Sequence, residues 1–110
     1  MNQELDEQFG IVLVTVPSKE QAAAIAQTLV KCNLAACVNF FPVQSVYVWQ
    51  NAIHYDDEWQ LVIKSSLVKF AALETKIRAV HPYEVPEIIA LPIQAGSLPY
   101  LQWISNSVNR

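Results

Sequence analysis

The amino-acid sequence predicts an α+β sandwich in the order βαββαβ with one closing helix, and three observations carry that prediction. Residues 10–16 and 87–93 are short, largely apolar runs, the pattern of strands covered on both faces. Residues 18–33 and 67–80 repeat apolar side chains at helical spacing. Between the two helices lie two long strand-forming runs, residues 36–49 and 53–66, joined by a very short connection.

The first strand, Gly10–Val16, stops at Pro17. Ser18, followed three residues later by Gln21, is a capping-box signature that satisfies orphan amide donors at a helix start. Ala22, Ile25, Ala26 and Leu29 then give the first helix one apolar face, with its end near Cys32 and Asn33. The next run, Ala36–Trp49, is rich in valine and aromatics. In the run after it, Trp59, Leu61 and Ile63 alternate with Glu58, Gln60 and Lys64, so one face is buried and the other carries placed charges.

Gln50, Asn51 and Ala52 join these strands as a hairpin without the usual glycine, and Asn51 can take the left-handed conformation in its place. About 14 residues at about 3.3 Å each give arms near 45 Å. A globule of this size has a radius of gyration of about 13 Å, so the tip must project. Pro42 cannot donate a ladder hydrogen bond and predicts a bulge or bend.

Leu67, Phe70, Leu73, Ile77 and Val80 form the stripe of the second helix, which Pro82 ends at His81. Pro86 pushes Val85 towards an extended form that leads into the strand Glu87–Ile93. Gly96 breaks the chain, Ser97 can cap, and Pro99 suits the first turn of a closing helix over Tyr100–Val108. The order is the split βαβ of ferredoxin-like folds.

Composition bounds the function. The chain has 110 residues, enough for one domain, read as residues 10–110 behind a disordered acidic tail over residues 1–9. It is 53% hydrophobic and 15% charged, against a charged share of roughly a quarter in ordinary domains. Two helices cover one sheet face, so the surplus apolar surface predicts self-association. A protruding arm bearing Val46, Tyr47, Val48 and Trp49 is an aggregation hazard unless neighbouring subunits cover it.

The net charge of −3 and seven scattered basic residues exclude a nucleic-acid partner. No apolar run is long enough for a membrane span, and the cytoplasm is the default location. Cys32 and Cys37, five apart, fit no zinc spacing and read as reduced thiols. No glycine-rich phosphate loop, serine motif or paired-carboxylate cleft is visible. Cys37 with the distant His81 is the weakest form of a nucleophile and base, so the chain reads as non-enzymatic.

Four blocks then stand out: "LAACVNFFPVQSVYVW", "DEWQLVIKSS", "HPYEVPEII" and "YLQWI". In order and spacing they resemble the signature of the CutA family of divalent-cation tolerance proteins, over about residues 10–108. The resemblance implies a cytoplasmic, unusually stable homotrimer of ferredoxin-like subunits with interlocking hairpins, associated with tolerance to copper and other divalent ions. Some members carry a cysteine in the first strand and two adjacent histidines before the proline, residues associated with copper; Val14 and Val80 stand at those positions here, and only His81 is kept. A valine has no lone pair to donate, so any Cu2+ or other divalent cation is weakly bound and none is required. The family's usual glycine at the hairpin tip is replaced by Gln50 and Asn51.

Two sets of candidate residues follow. His81, with Glu84 and Glu87 as oxygen donors, is a candidate metal site; the competing reading makes His81 a helix C-terminal residue complementing the helix dipole. Lys64, Tyr83, Glu87 and Trp103 are a candidate interface or ligand pocket, because charges on apolar strands are rarely left unpaired. His54 beside Asp56 and Asp57 is either a further surface site or a solvated turn. The leading function is a homotrimer that meets divalent cations. The alternative is a trimeric module similar to PII-type regulators, holding a small anionic metabolite between subunits near Lys64.

Overall fold

The computed structural model describes residues 7–110. Four strands and three helices follow in the order β1 (Phe9–Val16), α1 (Lys19–Lys31), β2 (Cys37–Trp49), β3 (Ala52–Ser66), α2 (Phe70–Val80), β4 (Ile89–Pro92) and α3 (Leu98–Val108), with a 3-10 turn over Leu67–Lys69 before α2. The sheet is antiparallel throughout with strand order β2-β3-β1-β4, which is the ferredoxin-like arrangement expected from the element order.

Local chemistry sets the boundaries. Ser18 caps α1, its hydroxyl oxygen accepting from the Gln21 amide at 3.1 Å. Beyond the other end, Asn33 takes φ 60°, the left-handed conformation that asparagine tolerates after a helix. His81 is extended at φ −79° and ψ 136°, as the following proline demands. The hairpin loop has two residues, since Trp49 pairs with Ala52, and both Gln50 (φ 52°) and Asn51 (φ 63°) are left-handed. That geometry matches the twist of the flanking strands.

Pro42 makes no bulge: the β2–β3 register runs unbroken through the Pro42–Trp59 pair. β2 is an edge strand, where every second amide points away from the partner, so a missing donor costs the ladder nothing on that side. The last strand is shorter than predicted, four residues within Glu87–Ile93. Residues 1–6 of the expected tail lie outside the described residues. From Glu7 onward the chain is engaged: Ser105 donates to the Glu7 carboxylate at 2.6 Å, and Phe9 is buried.

The core lies between one sheet face and the helices α1 and α2. Val12 and Val14 pair with Ile63 and Leu61, and with Val16 they meet Ala22, Ile25 and Leu29 of α1 and Leu73 and Ile77 of α2. The third helix packs against β3 and buries Ile104 and Val108. On the face away from α1 and α2, Phe41, Ile89 and Leu91 remain exposed. The long hairpin stretches the chain to 53 × 25 × 22 Å, with a radius of gyration of 15.0 Å. Its outer half is two-faced. Val46 and Val48 share one side with Tyr55 and Ile53, all strongly exposed, while Ser45, Tyr47 and Trp49 occupy the other. No helix among the described residues is long and apolar enough to cross a membrane.

Candidate functional site

Three segments meet beside the sheet face turned away from α1 and α2 and enclose a cleft of about 860 Å3. The hairpin contributes Ser45, Tyr47 and Trp49 from β2 and Glu58 from β3, which the register places on one face. β1 contributes Thr15 near its end, and the passage from α2 to β4 contributes Tyr83, Glu84 and Glu87. Every charged residue lining the cleft is a glutamate.

The passage is held in place by His81. One ring nitrogen, Nε2, lies 2.7 Å from the Thr15 carbonyl, and the other, Nδ1, accepts from the Tyr83 amide at 3.1 Å. This is a neutral imidazole with Nε2 protonated, clamping the α2 exit to β1. The Tyr83 ring packs at 4.9 Å against the imidazole. Its hydroxyl donates to Glu58 Oε2 at 2.6 Å. Burial pushes the Tyr83 phenol far above its usual range, and the bond to Glu58 with the carboxylate's charge pushes it further. Tyr83 therefore stays a neutral donor.

Glu58 is only 6% exposed. Its second oxygen has no hydrogen-bond partner among the described residues, yet it is not sealed from solvent. Nearer the tip Tyr47 donates to Asp56, which raises the Tyr47 phenol, and its ring stacks on His54 at 5.4 Å. His54 Nε2 lies 3.3 Å from the Trp49 carbonyl, so His54 braces the hairpin.

The sequence-derived sets are partly brought together. Glu84 and Glu87 line the cleft, and His81 stands behind it with both nitrogens engaged by backbone. Among the described residues, no three His, Cys, Asp or Glu side chains gather as a metal site. A resident ion coordinated by one chain alone does not fit these donors. Val14 is completely buried in the helix-covered core and Val80 is exposed at the end of α2, so the two positions that depart from the copper-associated pattern differ sharply in environment.

Of Lys64, Tyr83, Glu87 and Trp103, only Tyr83 and Glu87 line the cleft. Lys64 lies six positions from Glu58 along β3, about 20 Å away, and donates to Asn39. Trp103 belongs to α3, where it packs against Tyr100. Val46 and Val48 carry the exposed apolar side of the arm, whereas Tyr47 and Trp49 share their face with Glu58. Glu58 itself was missed by sequence reasoning. Period-two alternation put it on the polar face of β3, but only the crossing of Tyr83 makes that position a buried carboxylate.

Comparison with known proteins agrees with this architecture. The profile of the family described as CutA1 divalent ion tolerance protein matches residues 10–107. The chain is similar to the divalent-cation tolerance protein CutA of Thermus thermophilus, 47% identical over 95 residues, which cover 86% of this chain and 92% of that protein. It is also similar to the human protein CutA, 46% identical over 92 residues, 83% of this chain and 51% of the human one. The chain thus spans about half the length of that relative. The solved structure of the periplasmic divalent cation tolerance protein CutA from Archaeoglobus fulgidus superposes with a TM-score of 0.90 at 37% identity, covering 91% of this chain and 98% of the other. The chain therefore belongs to the CutA1 family of divalent ion tolerance proteins.

Proposed function

We propose that the chain forms a non-enzymatic homotrimer that contributes to tolerance of divalent cations, copper among them, by holding ions weakly at the acidic cleft. The observation that carries this reading is the cleft's charge. Its lining includes Glu58, Glu84 and Glu87 and no basic side chain, so the field inside favours cations. Glu84 and Glu87 are the oxygen donors of the weak site. His81 joins them when its Nδ1 gives up the Tyr83 amide.

Self-association is supported by the apolar side of the hairpin, where Val46, Val48, Ile53 and Tyr55 are each more than 60% exposed. The exposed Phe41, Ile89 and Leu91 on the face turned away from α1 and α2 add to it. A cytoplasmic location is supported by two free thiols, an exposed Cys32 and a half-buried Cys37, which a reducing compartment keeps unpaired.

Mass measurement under native conditions, with Cu2+ titration by calorimetry, tests the reading. The expected result is a trimeric mass at micromolar concentration and a weak saturable heat that falls in both Glu87→Gln and His81→Ala. A stable monomer, or heat unchanged in both variants, would overturn it.

A further inference from the structure

Two ionised side chains on one sheet face lack a counter-charge. Glu58 and Lys64 of β3 point to the face turned away from α1 and α2, which also carries the exposed Phe41, Ile89 and Leu91. Glu58 is more than nine-tenths buried, and its partner among the described residues is the neutral Tyr83 hydroxyl, on one carboxylate oxygen. Lys64, half-buried, gives its ammonium to the neutral side chain of Asn39. Neutral partners orient both groups but leave both charges uncompensated.

The chain cannot pair the two with each other. They stand six positions apart along β3, about 20 Å, beyond the combined reach of their side chains. No other cation of the same chain serves Glu58, because Lys64 is the one basic residue among the four strands. Lys19 lies over the Trp59 ring on the opposite sheet face, Lys31, Lys76 and Arg78 belong to the helices, and Lys69 to the turn before α2. Arg110 donates to the Val30 and Ser107 carbonyls.

A second copy can supply what is missing. The apolar Phe41, Ile89 and Leu91 favour covering this face, and covering it strips the remaining water from Glu58, which makes an unpaired charge there more costly. Each copy offers an anion near the hairpin and a cation six positions further along the same strand. A head-to-tail contact therefore sets unlike charges together at every interface of a closed ring.

We infer that Lys64 of the partner subunit enters the cleft and pairs with Glu58, so that the inner wall of the cleft is completed between copies. This rests on the self-association proposed above and adds the contact that fixes its register. Glu58 is the anion chosen over Glu87 because it is the more deeply buried of the two, and Glu84 and Glu87 stay available to a divalent ion.

The test is a double-mutant cycle read on assembly of the whole protein, with sedimentation velocity over a dilution series in subdenaturing urea giving the concentration at which half the copies are associated. That concentration should rise about tenfold or more in Glu58→Gln and in Lys64→Gln, and the double variant should associate no more weakly than the weaker single one. The same cycle between Lys64 and Glu87 should be additive. Lys64→Glu sets like charge against Glu58 and should weaken association beyond Lys64→Gln. It needs no change at the buried carboxylate, so the test stays decisive if Glu58→Gln fails to fold. Association unchanged in Lys64→Gln, no further loss in Lys64→Glu, additive losses at Lys64 and Glu58, or coupling to Glu87 instead would each overturn the pairing and leave the assembly standing. A monomer at every concentration would overturn the self-association and the pairing with it.

Discussion

Replacing Tyr83 with phenylalanine removes one hydroxyl and nothing else, and its consequence can be worked from the structure. The lost bond is the 2.6 Å donation to Glu58, which leaves a carboxylate at 6% exposure without any hydrogen bond among the described residues. A hydrogen bond to a charged group contributes about 1.5–3 kcal/mol, and the lower end applies because the phenol is only partly buried. Unfolding entropy of about 2.1 cal/mol/K per residue, taken over 110 residues, is roughly 0.23 kcal/mol/K, so a loss of about 1.5 kcal/mol lowers Tm by about 6 °C. The same bond has a signature in pH. The folded state raises the tyrosine pKa, so its contribution is complete below the ordinary value of about 10 and declines as pH rises from there towards the folded value. Urea unfolding followed by tryptophan fluorescence between pH 7 and 11 is the assay. Wild type should lose stability above about pH 10 more steeply than Tyr83→Phe. Tyr47 and Tyr100 are also raised, so the difference between the two proteins, not the wild-type slope, isolates Tyr83. A loss below about 0.5 kcal/mol with parallel alkaline limbs would refute the Glu58–Tyr83 bond.

Three further outcomes follow from named contacts. Gly10→Ala should lower stability by about 1–3 kcal/mol, because an added Cβ would meet the Leu67 side chain and sit 3.0 Å from the Leu91 carbonyl oxygen, a backbone atom of the paired strand; urea midpoints measure it. Gln50→Gly should raise stability by roughly 0.5 kcal/mol, since glycine relieves the left-handed φ of 52° at slightly smaller entropic cost; a fall in thermal midpoint would contradict the turn geometry. Burial alone would raise the Glu7 pKa, but the Ser105 bond, the nearby Ser66 and Asn109 groups and the Lys69 charge outweigh it and hold it below 4.5. The stability this supplies is present above pH 4.5 and lost as pH falls through the folded value, so Glu7→Gln should flatten the acid limb of a pH-stability curve.

Much of the architecture is written locally in the chain. Apolar periodicity alone separates α1 and α2 from the strands, Ser18 and Pro82 mark helix limits, and the alternation of Trp59, Leu61 and Ile63 gives β3 its faces. These are short-range rules of dihedral angle and side-chain period, which a sequence carries without knowing its neighbours. Pro42 shows the limit of such rules. Whether a missing amide donor bends a strand depends on whether that strand lies at a sheet edge, and edge position is a property of the whole sheet.

The site divides along the same line. The segment carrying His81, Tyr83, Glu84 and Glu87 is visible in the sequence because its prolines and polar groups break an apolar pattern. Its partners are not. His81 turns to the Thr15 carbonyl, 66 residues away, and Tyr83 reaches Glu58, 25 residues away, while Lys64 pairs with Asn39 outside the cleft that Glu87 lines. Charge and polarity could be read from the chain; which carboxylate loses its water was decided only when a loop from one end of the fold closed over a strand from another, because desolvation belongs to the packed surroundings and not to the residue.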